Sequence, residues 1–368
     1  MKHALIAFAI LSLSSLIACG GGSSSNPPVT VGTPSFLYVS TDTGAISGYA
    51  ISQTGAVTSI AGPTLSGANP KGMAVANSGF LYVAVSSSTV IGSSFNSQTG
   101  TLAAIPGSPF FIPTGRNASI LAVCGGRLYG MNTSAQASVS TINSDGTLGS
   151  SSGYGELITG ASASLAITPN CKYLYFADPD INAVSAYTIT GAGFGFTTTF
   201  STPVPVGMAP AAVATESTGK FLYVANSGSN NVSAFAIDSN SGALTPVPGS
   251  PFATGSQPSA LVVADSYLFV TNAGDNTVSA YTFDSGTGAL TPVSGSPFST
   301  GVHPAAVTFA YTNLNVSPTG ILLFTGNQGS NNVSGFVVRS GGVLEPIPGS
   351  PFAVNGAPQA MVVATGPQ

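Results

Sequence analysis

The sequence predicts an all-β fold, a seven-bladed β-propeller with four antiparallel strands per blade, and three observations carry that expectation. An aromatic-apolar strand core recurs seven times, at Leu37-Tyr38-Val39, Leu81-Tyr82-Val83, Leu128-Tyr129, Leu174-Tyr175-Phe176, Leu222-Tyr223-Val224, Leu268-Phe269-Val270 and Leu322-Leu323-Phe324. The second residues of these cores lie 44, 47, 46, 48, 46 and 54 positions apart, and a period of roughly 40–50 residues with several short strands and no helical pattern reads as one blade per repeat. The ends of the chain supply the third observation. Phe36 to Ser40 has the sequence of a second strand, whereas Gln359 to Thr365 has that of a first strand. The two ends are therefore expected to share a blade, with the C-terminal strand joining the N-terminal blade and closing the ring, which removes free sheet edges.

The most regular unit shows how each element is read. Ala260 to Ala264 is expected as the first strand and Tyr267 to Thr271 as the second, after a tight Asp265-Ser266 turn. Val278 to Phe283 and Ala289 to Val293 follow as third and fourth, joined by Asp284-Ser285-Gly286-Thr287-Gly288, where glycine can take the positive φ of a hairpin turn. Third strands alternate small and large residues, as in Val232-Ser233-Ala234-Phe235, which suits sheets packed on both faces. A Gly-Ser-Pro-Phe motif at 107–110, 249–252, 295–298 and 349–352 follows the fourth strand. Its proline is expected to end the ladder and its phenylalanine to plug between blades.

Residues 1–18 carry Lys2 and His3 and then an apolar run too short for the ~20 residues of a membrane-spanning helix, so they read as a signal peptide. Leu16-Ile17-Ala18-Cys19 resembles the lipobox of bacterial lipoproteins, and the resemblance implies lipidation of Cys19; an ordinary cleavage near Ala18 is the alternative. Residues 19–35 would then be the lipidated cysteine and a flexible Gly/Ser/Pro tether, and 36–368 the propeller. The expected location is the cell envelope, anchored to a bacterial membrane. Gly20 after the cysteine points to the outer membrane if the host is Gram-negative.

Beyond the leader, six Lys/Arg of the chain's seven face eleven Asp/Glu, which disfavours nucleic acid as a partner. Charged residues make up only 5% of the chain, as suits an exported surface covered by uncharged polar groups. Cys124 and Cys171 each precede an aromatic strand in neighbouring repeats. Packed sheets stand about 10 Å apart, whereas bridged Cα atoms must lie within ~7 Å. Two unpaired thiols are expected on that basis.

Few residues can carry chemistry. His303 is the single histidine after the leader, and the glutamates are Glu156, Glu216 and Glu345. Lys71, Arg116 and His303 all fall in connections from a fourth to a first strand, which open on one face of a propeller, and could make a small anion-binding mouth. Three solvated loop residues is the plainer alternative. Asn- and Asp-rich turns after the second strands, such as Asn226/Asn230/Asn231, read as caps. Asp178-x-Asp180-x-Asn182 resembles the start of a calcium loop but lacks the glycine at its sixth position and has Ile189 in place of the closing glutamate. No cofactor is implied, since neither zinc-ligand spacing nor a Gly-x-Ser-x-Gly elbow with matching His and Asp is present.

Repeats such as Lys220-Phe221-Leu222-Tyr223-Val224-Ala225-Asn226 with Asn231-Val232-Ser233-Ala234-Phe235 resemble the YVTN-type and lactonase-like seven-bladed propellers, from Phe36 to the end. Enzymes of that group use Arg, His and Glu around the channel mouth, and their loops before a first strand often read Pro-Arg-His. The corresponding loops here read Pro70-Lys71-Gly72, Arg116-Asn117-Ala118, Pro210-Ala211-Ala212, Pro258-Ser259-Ala260, Pro304-Ala305-Ala306 and Pro358-Gln359-Ala360. Because only Lys71 keeps a cation at the Arg position, the leading expectation is an exported binding or interaction module with a lactonase-like fold. Its partner would be a small molecule or an envelope protein, and a monomer is expected. The alternative is a lactonase hydrolysing a sugar-acid lactone, with Lys71 and Arg116 holding an anionic substrate and His303 or a glutamate activating water.

Overall fold

The computed structural model describes residues 34–365 apart from 53–54, 61–69, 77–78, 86–87, 114–117, 133–135, 157–163, 192–194, 200–201 and 313–318. The expected signal peptide, Cys19, the expected tether up to residue 33 and Arg116 lie outside the described residues, while Ser35, expected in the tether, already belongs to the first strand. Seven antiparallel sheets form the molecule, and it is nearly all β. Blade 1 holds Ser35–Thr41, Ile46–Ile51 and Val57–Ile60, with Pro358–Thr365 beside the first of these. Blades 2 to 7 begin at Gly72–Ala76, Ala118–Cys124, Ser164–Ile167, Pro210–Thr215, Pro258–Ala264 and Pro304–Tyr311.

These first strands contact one another around the ring and are the innermost of each blade. Pro358–Thr365 takes the same place in blade 1 and pairs antiparallel with Ser35–Thr41 from Ser35↔Thr365 to Thr41↔Pro358, as the terminal sequences predict. In the most regular unit the strands run Pro258–Ala264, Tyr267–Asn272, Thr277–Phe283 and Leu290–Pro292, within three residues of the expected bounds.

The Gly-Ser-Pro-Phe motif interrupts the fourth strand rather than ending it. Leu244–Pro246 pairs with the third strand of its blade, and after Gly249-Ser250-Pro251 the pairing resumes through Phe252–Ala253 on that same strand. Across the interruption the serine hydroxyl serves as the acceptor that the third strand would otherwise lack: Ala234 N donates to Ser250 Oγ at 2.9 Å, and Ala280 N to Ser296 Oγ at 2.9 Å. Phe252, Phe298 and Phe352 pack half-buried against the inter-blade cores, as expected.

Neighbouring blades are joined by a recurring aromatic contact. The tyrosine of the second strand reaches the turn between third and fourth strands of the next blade: Tyr38 Oη donates to Gly100 O at 2.6 Å, Tyr82 to Gly146 O at 2.7 Å, Tyr175 to Gly242 O at 2.8 Å and Tyr223 to Gly288 O at 3.0 Å. Burial pushes these phenols above their ordinary range, so they remain donors. The receiving glycine has φ of 70° to 83° in these four turns, and a Cβ there would run into the ring two residues before the tyrosine, Phe221 in the case of Gly288.

The expectation of two free thiols is wrong: Cys124 and Cys171 form a disulfide, with Cα atoms 5.8 Å apart. The 10 Å sheet spacing holds for the middle of packed sheets. Blades, however, radiate from an axis, and the turn between first and second strands sits at the narrow inner edge where neighbours converge. The same crowding brings a Cβ built on Gly219 to 3.1 Å from Pro169 and places Tyr311 Oη 2.9 Å from Asp265 Oδ1.

Two stability predictions follow from these joints. Tyr223→Phe leaves the buried Gly288 carbonyl without its donor and should cost about 1–2 kcal/mol, whereas Gly288→Ala combines left-handed strain with a clash and should cost more, as read from urea midpoints of the two variants. Cys124→Ser/Cys171→Ser releases a loop of 47 residues and should lower stability by about 4 kcal/mol on the chain-entropy relation; the same loss should appear in the unaltered protein when reductant is added.

Candidate functional site at the crossover face

Strand direction divides the turns between two faces. Turns joining first to second and third to fourth strands lie on one face, and those joining second to third, with the crossovers from one blade to the next, lie on the other. Lys71 and His303 belong to crossovers and share the second face, which we call the mouth. Arg116, which the sequence also places in a crossover, lies outside the described residues.

The mouth is built from a repeated lock between turn and crossover. Asn182, Asn230 and Asn276 sit in second-to-third-strand turns with φ of 54°, 53° and 59°. Their Oδ1 atoms accept the N–H of Ala209, Gln257 and His303 at 2.7, 2.8 and 2.7 Å. Those three residues themselves have left-handed φ of 49°, 52° and 54°, each directly before a proline that opens a first strand. The left-handed region is costly for a side chain bearing a Cβ, and the asparagine amide holds each residue there. In blade 1 Asp42 accepts the N–H of the residue before the proline, Ala357, at 2.8 Å, although that residue is not left-handed. The reading of these Asn/Asp turns as caps is correct, and what they cap is the crossover.

Five of the inner strands carry a β-bulge at their start, four of them just after a proline. The register shifts between Pro210 and Ala212, Pro258 and Ala260, and Pro304 and Ala306, and also between Ala118 and Ile120 and between Pro358 and Ala360. The residue inserted at each bulge is Ala211, Ser259, Ala305, Ser119 and Gln359. Gly72 pairs with Ala84, which puts Lys71 at the same station in blade 2, where its N–H donates to Ala84 O at 3.0 Å. Bulges re-aim side chains and recur beside functional sites. Lys71 is partly buried and is the single cation among these stations; Gln359 occupies the adjoining blade, and Ser259 spends its hydroxyl on Pro304 O at 2.6 Å.

The sequence candidates therefore hold different stations. Lys71 follows the proline, His303 precedes it, and Arg116 stands two places before the strand that opens at Ala118. Ring order nonetheless collects them: His303 belongs to the crossover into blade 7, Gln359 and Asp42 to blade 1, Lys71 to blade 2 and Arg116 to the sequence entering blade 3. Blade 1 exists only because the chain ends meet, so residues 303 and 71, far apart in sequence, flank one closing strand. The opposite side of the mouth, at blades 5 and 6, offers Ala211 and Ser259. Glu216 and Glu345, also weighed as catalytic groups, lie on the other face. Glu216 is spent there on the N–H groups of Thr218 and Phe221, and Glu345 pairs with Arg339 at 2.7 Å.

One acid at the mouth, Asp178, is fully buried, which its place at the start of a calcium-like loop in the sequence does not foretell. Second strands end in a ring of buried residues that includes Asn132, Asp178, Asn226, Asn272 and Asn327. Asn226 Nδ2 donates to Asn231 Oδ1 at 2.7 Å and Ser233 Oγ at 2.9 Å, and Asn272 and Asn327 make the equivalent pairs in their blades. Asp178 has no amide to donate. Its Oδ1 accepts Asp180 N at 3.0 Å, and Oδ2 has no hydrogen-bond partner among the described residues. Burial, aided by the neighbouring Asp180 charge, pushes its carboxyl above the usual range against the opposing pull of the Asp180 and Ile181 N–H groups. The register of the repeats was the available signal, since Asp178 aligns with an asparagine in four blades. No group of three or more metal-binding side chains is found among the described residues.

Residues 130–252 match the family model described as Lactonase, 7-bladed beta-propeller. No curated protein matches the chain. Among solved structures it is similar to a candidate 6-phosphogluconolactonase of Bacteroides fragilis, at 21% identity and a TM-score of 0.75, over 92% of this chain and 100% of that one. A candidate 6-phosphogluconolactonase of Bacteroides uniformis gives 18% and 0.74, over 90% and 99%. The periplasmic gluconolactonase of Pseudomonas aeruginosa gives 20% and 0.70, over 90% and 99%. At these identities the likeness establishes a shared lactonase-like fold.

Asp178→Asn should stabilise the protein at neutral pH, because the amide can reach the serine seven residues on, as in the other blades, and no buried charge remains; the gain should be about 1 kcal/mol or more. The sign follows from the raised carboxyl: it favours the folded state only while protonated, and that support is lost as pH rises through its folded value. Melting curves across pH should show the advantage of the variant shrinking as the solution is acidified through that value.

Proposed function

We propose that this propeller is a lactone hydrolase whose site lies on the mouth sector of blades 7, 1, 2 and 3. What supports the reading is that His303, Gln359 and Lys71 belong to three consecutive blades on one face, in a chain that matches the lactonase family model over 130–252. Ester-ring hydrolysis needs a water made nucleophilic and a cationic or hydrogen-bonding group for the oxyanion. His303 is the group to take the proton from water. The Lys71 ammonium, helped by the N–H of Gln359 Nε2 that its bond to Ala357 O at 3.3 Å leaves over, would bind the lactone carbonyl and the oxyanion that develops on it. Collapse of the tetrahedral intermediate expels the ring oxygen, which takes up the proton to give the hydroxy acid.

Under the same proposal the protein is exported, lipid-anchored through Cys19 and monomeric. The disulfide between Cys124 and Cys171 supports export, since such bonds persist in oxidising compartments. A binding module without catalysis is the second reading, favoured by the Ala211, Ser259 and Ala305 stations, which offer no charged group.

Purified protein should open sugar-acid lactones faster than the spontaneous background. Lys71→Ala and His303→Ala should each lower kcat/KM by about 100-fold, the magnitude typical of a lost oxyanion donor or general base, with melting temperatures unchanged. A rate no greater than background across the lactone panel would leave the binding module.

A further inference from the structure

The described cations are unevenly divided between the two faces, while acids lie on both, with Asp145, Glu216, Asp238, Asp265, Asp284 and Glu345 on the face opposite the mouth. Among the described cations Arg127, Lys172, Lys220 and Arg339 all lie on the face of the first-to-second and third-to-fourth turns, and Lys71 alone lies at the mouth. The mouth carries Asp42, Asp178, Asp180 and Asp275. Asp42, Asp178 and Asp275 are held by backbone N–H groups of Ala357, Asp180 and Ser256 respectively, so they are fixed parts of the rim and not mobile side chains. Counting Arg116 from the sequence leaves acids in excess.

The same face holds most of the exposed apolar side chains. Met208 and Val302 are 59% and 51% exposed, at the station two places before the proline, which Arg116 occupies by chain position. Ile181, 47% exposed, lies in a neighbouring turn. A site for a phosphoryl group needs convergent cations or several donors. Here the crossovers into blades 5 and 7 present methyl groups at that station, and the single described cation shares its face with Asp42, Asp178, Asp180 and Asp275.

We infer that the substrate is an uncharged, unphosphorylated lactone. The inference rests on the lactonase reading and names the substrate class of that same site. Lys71 would then act on the lactone carbonyl, with no phosphate competing for it, and the acidic rim would help to expel the carboxylate product by repulsion. A dianionic substrate would meet that same repulsion on entry.

The test compares gluconolactone with 6-phosphogluconolactone on the purified protein across ~0.02 to ~0.5 M salt. Gluconolactone should have the higher kcat/KM by about tenfold or more at low salt, with a KM indifferent to salt, while the KM for the phosphorylated lactone falls as salt screens the rim. Met208→Lys/Val302→Lys should narrow the preference several-fold by adding cations at exposed stations. Preference for the phosphorylated lactone, with a KM that rises with salt, would overturn the inference and leave the lactonase reading standing. Turnover of neither compound would refute both.

Discussion

Everything on the mouth face depends on the pairing of Pro358–Thr365 with Ser35–Thr41. An open array of seven sheets would present a bare inner edge on its first blade and no fixed relation between its ends. Closure supplies blade 1 with its innermost strand and at the same time makes blades 7 and 2 second neighbours. His303 and Lys71 thereby come to flank one strand, and Gln359 stands between them on that strand. The Asp42 carboxylate ties the joint at the mouth by accepting the N–H of Ala357 just before the closing strand. The same group that fixes the ring therefore contributes negative charge to that face.

The ring is held elsewhere by contacts that repeat with the sequence period. Tyrosine hydroxyls reach glycine carbonyls in the next blade, and the rings two residues earlier pack on those glycines, so each turn is gripped by two aromatic groups of its neighbour. Blades 6 and 7 carry Phe269 and Phe324 at the tyrosine position and rely on packing alone. The Cys124–Cys171 disulfide adds a covalent joint between blades 3 and 4 at the narrow inner edge. A chain with so few charged residues has little else to offer between sheets, because small and aromatic residues must interlock at close packing.

Local patterns were legible because each is decided within a few residues. The strand bounds near 258–292, the glycine turns, the caps and the order of strands all follow from alternation and turn chemistry, and the structure reproduces them. Patterns that couple two blades were legible only where both partners repeat. The bulges at the start of five inner strands escaped notice because an inserted residue leaves no mark in a sequence of alternating small side chains. Asp178 stands in the sequence as the start of a calcium-like loop, whereas its place in the ring of buried asparagines is what sets it apart.

By itself the sequence determined the blade count, the closure of the ring by its own ends and the class of residue at every turn, since period and alternation are properties of neighbouring residues along the chain. Only the tertiary structure decided that Cys124 and Cys171 meet, that Asp178 is buried with an unanswered oxygen, and that His303, Gln359 and Lys71 share a sector. These are distances across the ring. They depend on how the blades converge toward the axis, a geometry that no stretch of one repeat contains.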